Sequence, residues 1–432
     1  MPFSWFPLRI PCVWLVLGCA LVAQFPTPAL AQDQSSRALT LKQALQRALS
    51  LNPRLTAAER EVGIASGRRI QAGTVPNPEI GFELDDAFGS GKYRGTRSAE
   101  TTLQLSQLIE LGGKRQARIA AGAAEVDSAY WQRQATRLEI LSETATAFVT
   151  ILSAQRRVQI LDAHVTALDR LTPQLQRRVE AGASSPAEIA RAQVAVDLVR
   201  VERERAKTTL ATARRDLAIL MGDRVPRFSS VTGQFDNTGR PPIFQTVLAA
   251  IDANPQLMRW TAVRAQREAE LLTARLKPVP DVTVSAGWRH YRDSGDNAVR
   301  LGVSIPLPVW DQNRGNVIAA EESLQKTQAE RDINRAALIA IAGRSYDAIN
   351  GALAELNLLR SSIIPNSRKA IEGIEDGYAQ GRYSLLEVLD AQSAATEAAL
   401  REQEALQSFH TAVTTIEGLV GRPFMLTAAR PK

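Results

Sequence analysis

Two halves of this 432-residue sequence follow one plan. Asn52-Pro53-Arg54-Leu55 recurs as Asn254-Pro255-Gln256-Leu257. Each follows a short amphipathic helical pattern, with Leu41, Ala44, Leu45, Ala48 and Leu49 in the first and Val247, Leu248 and Ile251 in the second. Val75-Pro76-Asn77 recurs as Val279-Pro280-Asp281. Ala181-Gly182-Ala183-Ser184-Ser185-Pro186-Ala187-Glu188 aligns without a gap to Gln380-Gly381-Arg382-Tyr383-Ser384-Leu385-Leu386-Glu387. In the same register Ala192-Gln193 meets Ala391-Gln392, and Leu217, Leu220 and Gly222 meet Ile416, Leu419 and Gly421. Chance likeness between Ala-rich helices is the alternative. Shared Gly, Ser, Glu and Gln at one constant offset argue against it, and a period this long points to a duplicated supersecondary unit.

Each copy opens with a helical pattern, Pro53–Ala72 or Pro255–Leu276, that stops before a proline, whose ring clashes with the preceding turn and whose nitrogen has no proton to donate. Two alternating segments follow. In the first copy Ile80, Phe82 and Leu84 alternate with Glu79, Gly81, Glu83 and Asp85, and Leu103 and Leu105 with Thr102, Gln104 and Ser106. In the second, Val282, Val284, Ala286 and Trp288 alternate with Asp281, Thr283, Ser285 and Gly287, and Val299, Leu301, Val303, Ile305 and Leu307 with Arg300, Gly302, Ser304 and Pro306. A period of two predicts strands with one apolar and one polar face. Loops rich in glycine and charge, Asp86–Ser98 and His290–Asn297, join each pair. A helical run then extends from Lys114 to about Val179, and from about Gly315 to Tyr378. Pro173 and Pro365 are the interruptions where a kink is expected. Some 65 residues of helix span roughly 100 Å. A glycine turn at Gly182 or Gly381 reverses the chain, and the return helix stops at Gly222 or Gly421. Only 5% of residues are aromatic, so these hairpins must pack as coiled coils through small and aliphatic side chains.

The first residues are read as a leader. An apolar run, Cys12–Ala23, ends in Ala29-Leu30-Ala31, the pattern of a secretory signal peptide spanning residues 1–31. Val16-Leu17-Gly18-Cys19 resembles a lipoprotein box, the alternative processing site, which would leave Cys19 acylated as the first residue. Both cysteines lie in this leader, so packing rather than disulfides must hold the exported chain together. The net charge of +7 is spread among interleaved acids and bases, with no single-sign block of the kind that binds nucleic acid. Beyond Ala31 no stretch approaches the roughly 20 apolar residues of a spanning helix, so a membrane crossing requires strands.

Four strands cannot close a barrel, and open edges are not tolerated in lipid. Three chains would supply twelve strands, above the eight or so that closure needs. Asp281, Thr283 and Ser285 would then face interior water, and Val282, Val284 and Trp288 would face lipid, with Trp288 and Tyr291 in the aromatic girdle. The bland alternative is a small soluble β-subdomain. Enzyme chemistry finds no support. His164, His290 and His410 are scattered, Gly112-Gly113-Lys114-Arg115 lacks the spacing and hydroxyl of a phosphate loop, and no catalytic, metal-ligating or cofactor motif is present. The rival of another class is a periplasmic coiled-coil adaptor or scaffold, which usually carries one hairpin inside larger β-domains.

Over Leu39–Pro423 the sequence resembles the TolC-type outer-membrane efflux family, most specifically along Gly377-Tyr378-Ala379-Gln380-Gly381-Arg382-Tyr383-Ser384-Leu385-Leu386-Glu387-Val388-Leu389-Asp390-Ala391-Gln392. Leu108–Arg115 and Pro306–Gly315 resemble its CzcC-like branch, which serves pumps for divalent metal cations; channels for drugs or secreted proteins are the other possibility within the family. The resemblance implies a mainly α homotrimer in the outer membrane with a 12-stranded β-barrel and a periplasmic α-barrel. It implies partnership with a periplasmic adaptor and an inner-membrane resistance-nodulation-division pump. It implies a first repeat over 39–222 (hairpin 78–109, helices 113–222), an equatorial linker 223–243, a second repeat over 244–421 (hairpin 280–308, helices 312–421) and a tail 422–432. Glu387 and Asp390 match the family's carboxylates at the closed periplasmic entrance, three residues apart on one helix face. This chain departs in having Glu at the first position, and its first copy has Glu188 and Arg191 instead. A solvated acidic face is the plainer reading of the pair. The two tip turns, Gly182-Ala183-Ser184-Ser185 and Gly381-Arg382-Tyr383-Ser384, lie farthest from the membrane, where small residues let an adaptor hairpin approach.

Overall fold

The computed structural model describes residues 38–421, so the leader, with its cleavage and acylation motifs, and the tail 422–432 lie outside the described residues. β1 (Leu39–Thr40) leads into α1 (Leu41–Leu51), which starts in a capping box in which the Thr40 hydroxyl accepts from the Gln43 N–H and the Gln43 side chain returns to Thr40. Asn52 breaks the chain and N-caps α2 (Pro53–Ala72), with proline at the first helical position. The second half repeats the arrangement. α5 (Phe244–Ile251) is followed by Asn254, which N-caps α6 (Pro255–Leu276). Each asparagine also reaches backward: Asn52 Nδ2 donates to the Leu220 carbonyl at 2.9 Å and Asn254 Nδ2 to the Leu419 carbonyl at 2.7 Å. One side chain thus satisfies an orphan donor at the start of one helix and an orphan carbonyl at the end of another.

β2 (Glu79–Asp85), β3 (Glu100–Ile109), β5 (Val282–Tyr291) and β6 (Asn297–Ser304) form one antiparallel sheet in the order β2-β3-β5-β6. The two hairpins therefore meet along β3 and β5. The register lines up Phe82, Leu103, Trp288 and Val299 across all four strands on one face, and Glu83, Thr102, Arg289 and Ala298 on the other. β3 begins earlier than the alternation of Leu103 and Leu105 marked, because Glu100–Thr102 pair with β5 as well as β2. β6 ends at Ser304 rather than running to Leu307, since Pro306 and Pro308 cannot donate to a ladder. The loop of the first hairpin holds a single 3₁₀ turn, Gly91–Tyr93.

The long helices are α3 (Lys114–Glu180), α4 (Pro186–Leu220), α7 (Arg314–Leu358), α8 (Ile364–Ala379) and α9 (Leu385–Val420). Pro173 lies inside α3 without ending it. Pro365 acts otherwise: a π-turn, Leu359–Ile363, precedes it and separates α7 from α8. The extra residue of a π-turn absorbs the hydrogen bond that the proline cannot make. β4 (Val231–Thr232), in the segment 223–243, pairs in parallel with β1. The apolar side chains pack in patches rather than one core. Leu39, Phe148, Ile151, Leu217, Met221 and Val231 gather around this small sheet, and Val247, Ile251, Leu257, Ile349, Phe409 and Ile416 form the counterpart in the second half. Gly222 has φ +79°, and a Cβ there would meet the Leu51 carbonyl oxygen at 2.5 Å, so glycine both ends α4 and admits α1.

Asn254→Ala removes the cap and strands the Leu419 carbonyl, and it should destabilise the fold by about 2 kcal/mol, from roughly 1 for the cap and 1 for the lost donor. Asn254→Ser keeps the cap acceptor but cannot reach Leu419, and should lie midway between wild type and Asn254→Ala in thermal unfolding followed by helical circular dichroism.

Candidate gate and tip

The far ends of α3–α4 and α8–α9 converge on one apolar cluster of Leu168, Leu171, Leu175, Val196, Tyr378, Leu385 and Val388. Both turns close in the same way. Gly182 (φ +72°) donates to the Val179 carbonyl and Ala183 to Arg178, while Gly381 (φ +77°) donates to Tyr378 and Arg382 to Gly377. These are paired Schellman motifs, which require the left-handed backbone that glycine adopts without strain. Ser185 then N-caps α4 and Ser384 N-caps α9. In the first turn Ala183, Ser184 and Ser185 present small polar atoms. In the second, Arg382 and Tyr383 project as well, both exposed.

Glu387 and Asp390 stand exposed on α9, one turn apart, while Val388 and Leu389 point into the cluster. Among the described residues neither makes an ion pair, and nor does Arg382. Glu387 is also the third residue of the helix. Its carboxylate accepts the Ser384 N–H at 2.7 Å and the Ser384 hydroxyl at 2.9 Å, completing a capping box. These bonds from the Ser384 backbone and hydroxyl favour the charged form and hold the carboxyl below the usual glutamate range. Glu at this position therefore fastens the tip turn as well as carrying charge, a role the shorter Asp would fill less well. The matching Glu188 makes no such box, since Ser185 instead accepts from Ala187 N–H.

One residue that sequence reasoning missed ties the two tips together. The Arg178 guanidinium lies 4.7 Å from the centre of the Tyr378 ring and donates from Nη1 to the Tyr378 carbonyl at 2.8 Å, while its Nε reaches the Ser184 hydroxyl at 3.2 Å. Tyr378 is buried, and that burial pushes its phenol above the usual range. The only signal in the sequence is a mismatch between the copies, since Arg178 aligns with Gly377. Glycine at 377 has its own cause: a Cβ there would lie 2.3 Å from the Tyr383 ring, which covers it.

At the opposite end, the polar face of the sheet carries ion pairs. Arg289 bridges Glu100 (2.6 Å) and Asp85 (3.4 Å) across three strands, and Arg300 meets Glu83 at 3.4 Å. On the other face Ile80, Phe82, Leu103, Leu105, Trp288, Val299, Leu301 and Val303 are exposed within the chain. Among the described residues no helix is long and apolar enough to cross a membrane, and no group of three His, Cys, Asp or Glu side chains could hold a metal ion.

The sequence model of the outer membrane efflux proteins matches residues 44–223 and 247–422, across both halves and both tips. The chain belongs to the outer membrane efflux protein family. It is 29% identical over 95% of its length, and 99% of the relative's, to the cobalt-zinc-cadmium resistance protein CzcC of Cupriavidus metallidurans. It is 26% identical to the nickel and cobalt resistance protein CnrC of the same organism, over 70% of this chain and 72% of that one. Its fold matches the outer membrane protein VceC of Vibrio cholerae with a TM-score of 0.75, covering 89% of this chain and 96% of that one at 18% identity. It is thus an efflux protein of the outer membrane, with its helical part in the periplasm. Family membership removes the adaptor or scaffold reading.

Arg178→Ala should free the end of α8 without altering the fold. Amide hydrogen exchange from Gly377 to Gly381 should quicken while α1 and α5 keep their protection.

Proposed function

We propose that three copies of this chain form a passive exit duct for divalent metal cations, fed by an inner-membrane resistance-nodulation-division pump through a periplasmic adaptor. The observation that carries the assembly is the sheet itself. β2 and β6 each have a partner on one side only, one face is apolar and exposed, and the other holds Glu83, Asp85, Glu100, Arg289 and Arg300. Pairing β6 of one copy with β2 of the next removes every open edge, turns the apolar face to lipid and encloses the charged one in water. Full-length similarity to a cobalt-zinc-cadmium resistance protein supports the class of cargo. A duct needs no cofactor and no fixed ligand site, because cargo must leave as readily as it enters.

In this assembly Glu387 and Asp390 line the narrowest point at the periplasmic end, in rings that favour cations and repel one another. Gly182, Ala183, Ser184 and Ser185 of one tip, and Gly381, Arg382, Tyr383 and Ser384 of the other, receive the adaptor hairpins. The 39–222 and 244–421 units then act as two staves built on one plan, joined by the linker 223–243.

In a planar bilayer, Glu387→Ala/Asp390→Ala should give a larger single-channel conductance and a cation/anion permeability ratio nearer one than wild type. Unchanged values would remove both residues from the constriction. Because Glu387 also caps α9, Glu387→Gln serves as the control: its amide oxygen keeps an acceptor for Ser384, so it should lose selectivity with less effect on opening. Tryptophan at both Gly182 and Gly381 should abolish metal resistance in cells while trimers still form in mild detergent. Full resistance in that variant would refute the tip contact.

A further inference from the structure

Below β6 the chain does something its counterpart does not. Gly113 and Asn313 both adopt a left-handed backbone immediately before α3 and α7. Three residues before each stand Glu110 and Trp310. Glu110 is turned inward and ion-paired to Arg118. Trp310 is 94% exposed, and it ends an apolar strip in which Ile305 is 48%, Leu307 78% and Val309 61% exposed. Ile305 and Leu307 each precede a proline, which keeps them extended, so they continue the parity of Val299, Leu301 and Val303 on the apolar face of β6. Leu307 then accepts the Val309 N–H at 2.9 Å, a turn about Pro308 that redirects the chain. An exposed strip of this size ending in tryptophan marks a surface that something covers.

Beside the strip opens a cleft of about 210 Å³ lined by Lys114, Lys277, Val279, Asp281, Leu307 and Asp311. Lys114 and Asp281 neutralise each other at 2.9 Å. Among the described residues Lys277 has no ion pair, and Asp311 accepts only the backbone N–H of Asn313 at 2.9 Å. The cleft therefore offers one ammonium and one carboxylate at the foot of an apolar strip. That pattern complements a headgroup carrying both a phosphate and an ammonium above two acyl chains.

We infer that residues 305–311, with Lys277, form a binding site for a zwitterionic phospholipid of the inner leaflet whose headgroup ends in a primary ammonium, which can donate to the Asp311 carboxylate as a trimethylammonium cannot. Ile305, Leu307 and Val309 lie against its acyl chains and Trp310 sits at the level of its esters. Lys277 faces the phosphate and Asp311 the ammonium. Trp310 suits this depth because its indole is apolar along its body and polar at N–H. The site anchors the barrel vertically just where the strands give way to long helices. It rests on the reading of the four-stranded sheet as a wall of a lipid-embedded barrel.

The test uses the full chain in vesicles of ethanolamine phospholipid brominated either near the top or near the end of the acyl chains. Trp288→Phe leaves Trp310 as the reporter at this rim, and Trp310→Phe leaves Trp288 on the sheet face; Trp131 and Trp260, on helices, together with Trp5 and Trp14 of residues 1–31, are the common background of both variants. Shallow bromines should remove most of the Trp310 emission and deep ones little of it. Quenching of Trp288 without quenching of Trp310 would overturn the site while sparing the barrel. In that case a neighbouring copy covers the tryptophan. Quenching of neither would overturn both. Native mass spectrometry in mixed ethanolamine and choline lipid supplies the headgroup arm. Lys277→Gln/Asp311→Asn should abolish the excess of bound ethanolamine lipid over choline lipid, and an unchanged ratio would overturn the headgroup assignment.

Discussion

A backbone amide in hydrocarbon has no water to fall back on, and each unpaired group there costs several kcal/mol. That demand bears directly on a sheet of four strands with two bare edges. Such a sheet cannot be a membrane element alone, and the proposed ring gives its apolar face and its salt-bridged face each a place. The junction of β3 with β5 inside one chain and the proposed junction of β6 with β2 between chains are the same kind of bond. In the proposed ring, intramolecular and intermolecular pairing are interchangeable.

The helices answer a different demand, which is length. A duct that bridges a periplasm must be long and thin, and a thin tube cannot hold a thick core. The apolar residues are accordingly dispersed in local clusters, one around β1 and β4, one around α5 and one at the tips. Between them the helices are joined by ion pairs such as Arg54–Glu143 and Arg133–Glu59. Exposed pairs of this kind are worth little individually, so the middle of the tube is held mainly by close helix packing. The two halves are not mechanically equal. α3 runs unbroken past Pro173, while the corresponding run of the second half yields at Leu359–Ile363. Arg360, inside that turn, is held by Glu402 at 2.7 Å and by the Asp236 carbonyl at 3.3 Å, which fixes the break against the segment 223–243.

At the tip, one residue serves two purposes. Glu387 closes the first turn of α9 and stands beside Asp390 on the exposed face. Its capping bonds stabilise the ionised form, whereas a ring of like charges would oppose it. The sign of the net effect sets the pH behaviour. With its folded pKa depressed, the cap is at full strength above the usual glutamate range and is lost as pH falls through the lowered value.

The elements were legible in the residues because each is a local statement. Alternation over Glu79–Asp85 and Asp281–Trp288, the proline stops after Ala72 and Leu276, and the glycine turns at Gly182 and Gly381 are written within a few residues of where they act; that β5 runs on to Tyr291, through what read as the start of the loop, was not. So was the pairing of Glu387 with Asp390 on one face, since three residues of helix are enough to place it. What the residues could not disclose were partners chosen across long loops. The parallel pairing of β1 with β4, the asparagines that reach Leu220 and Leu419, the salt bridges of Arg289 and the seat of Arg178 on Tyr378 all join positions far apart in the chain. Proline supplies the sharpest contrast. Pro173 and Pro365 looked alike in sequence, yet only one breaks its helix. A helix can spread the loss of a hydrogen bond along packed neighbours or concentrate it in a single π-turn, and that choice belongs to the tertiary contacts around it.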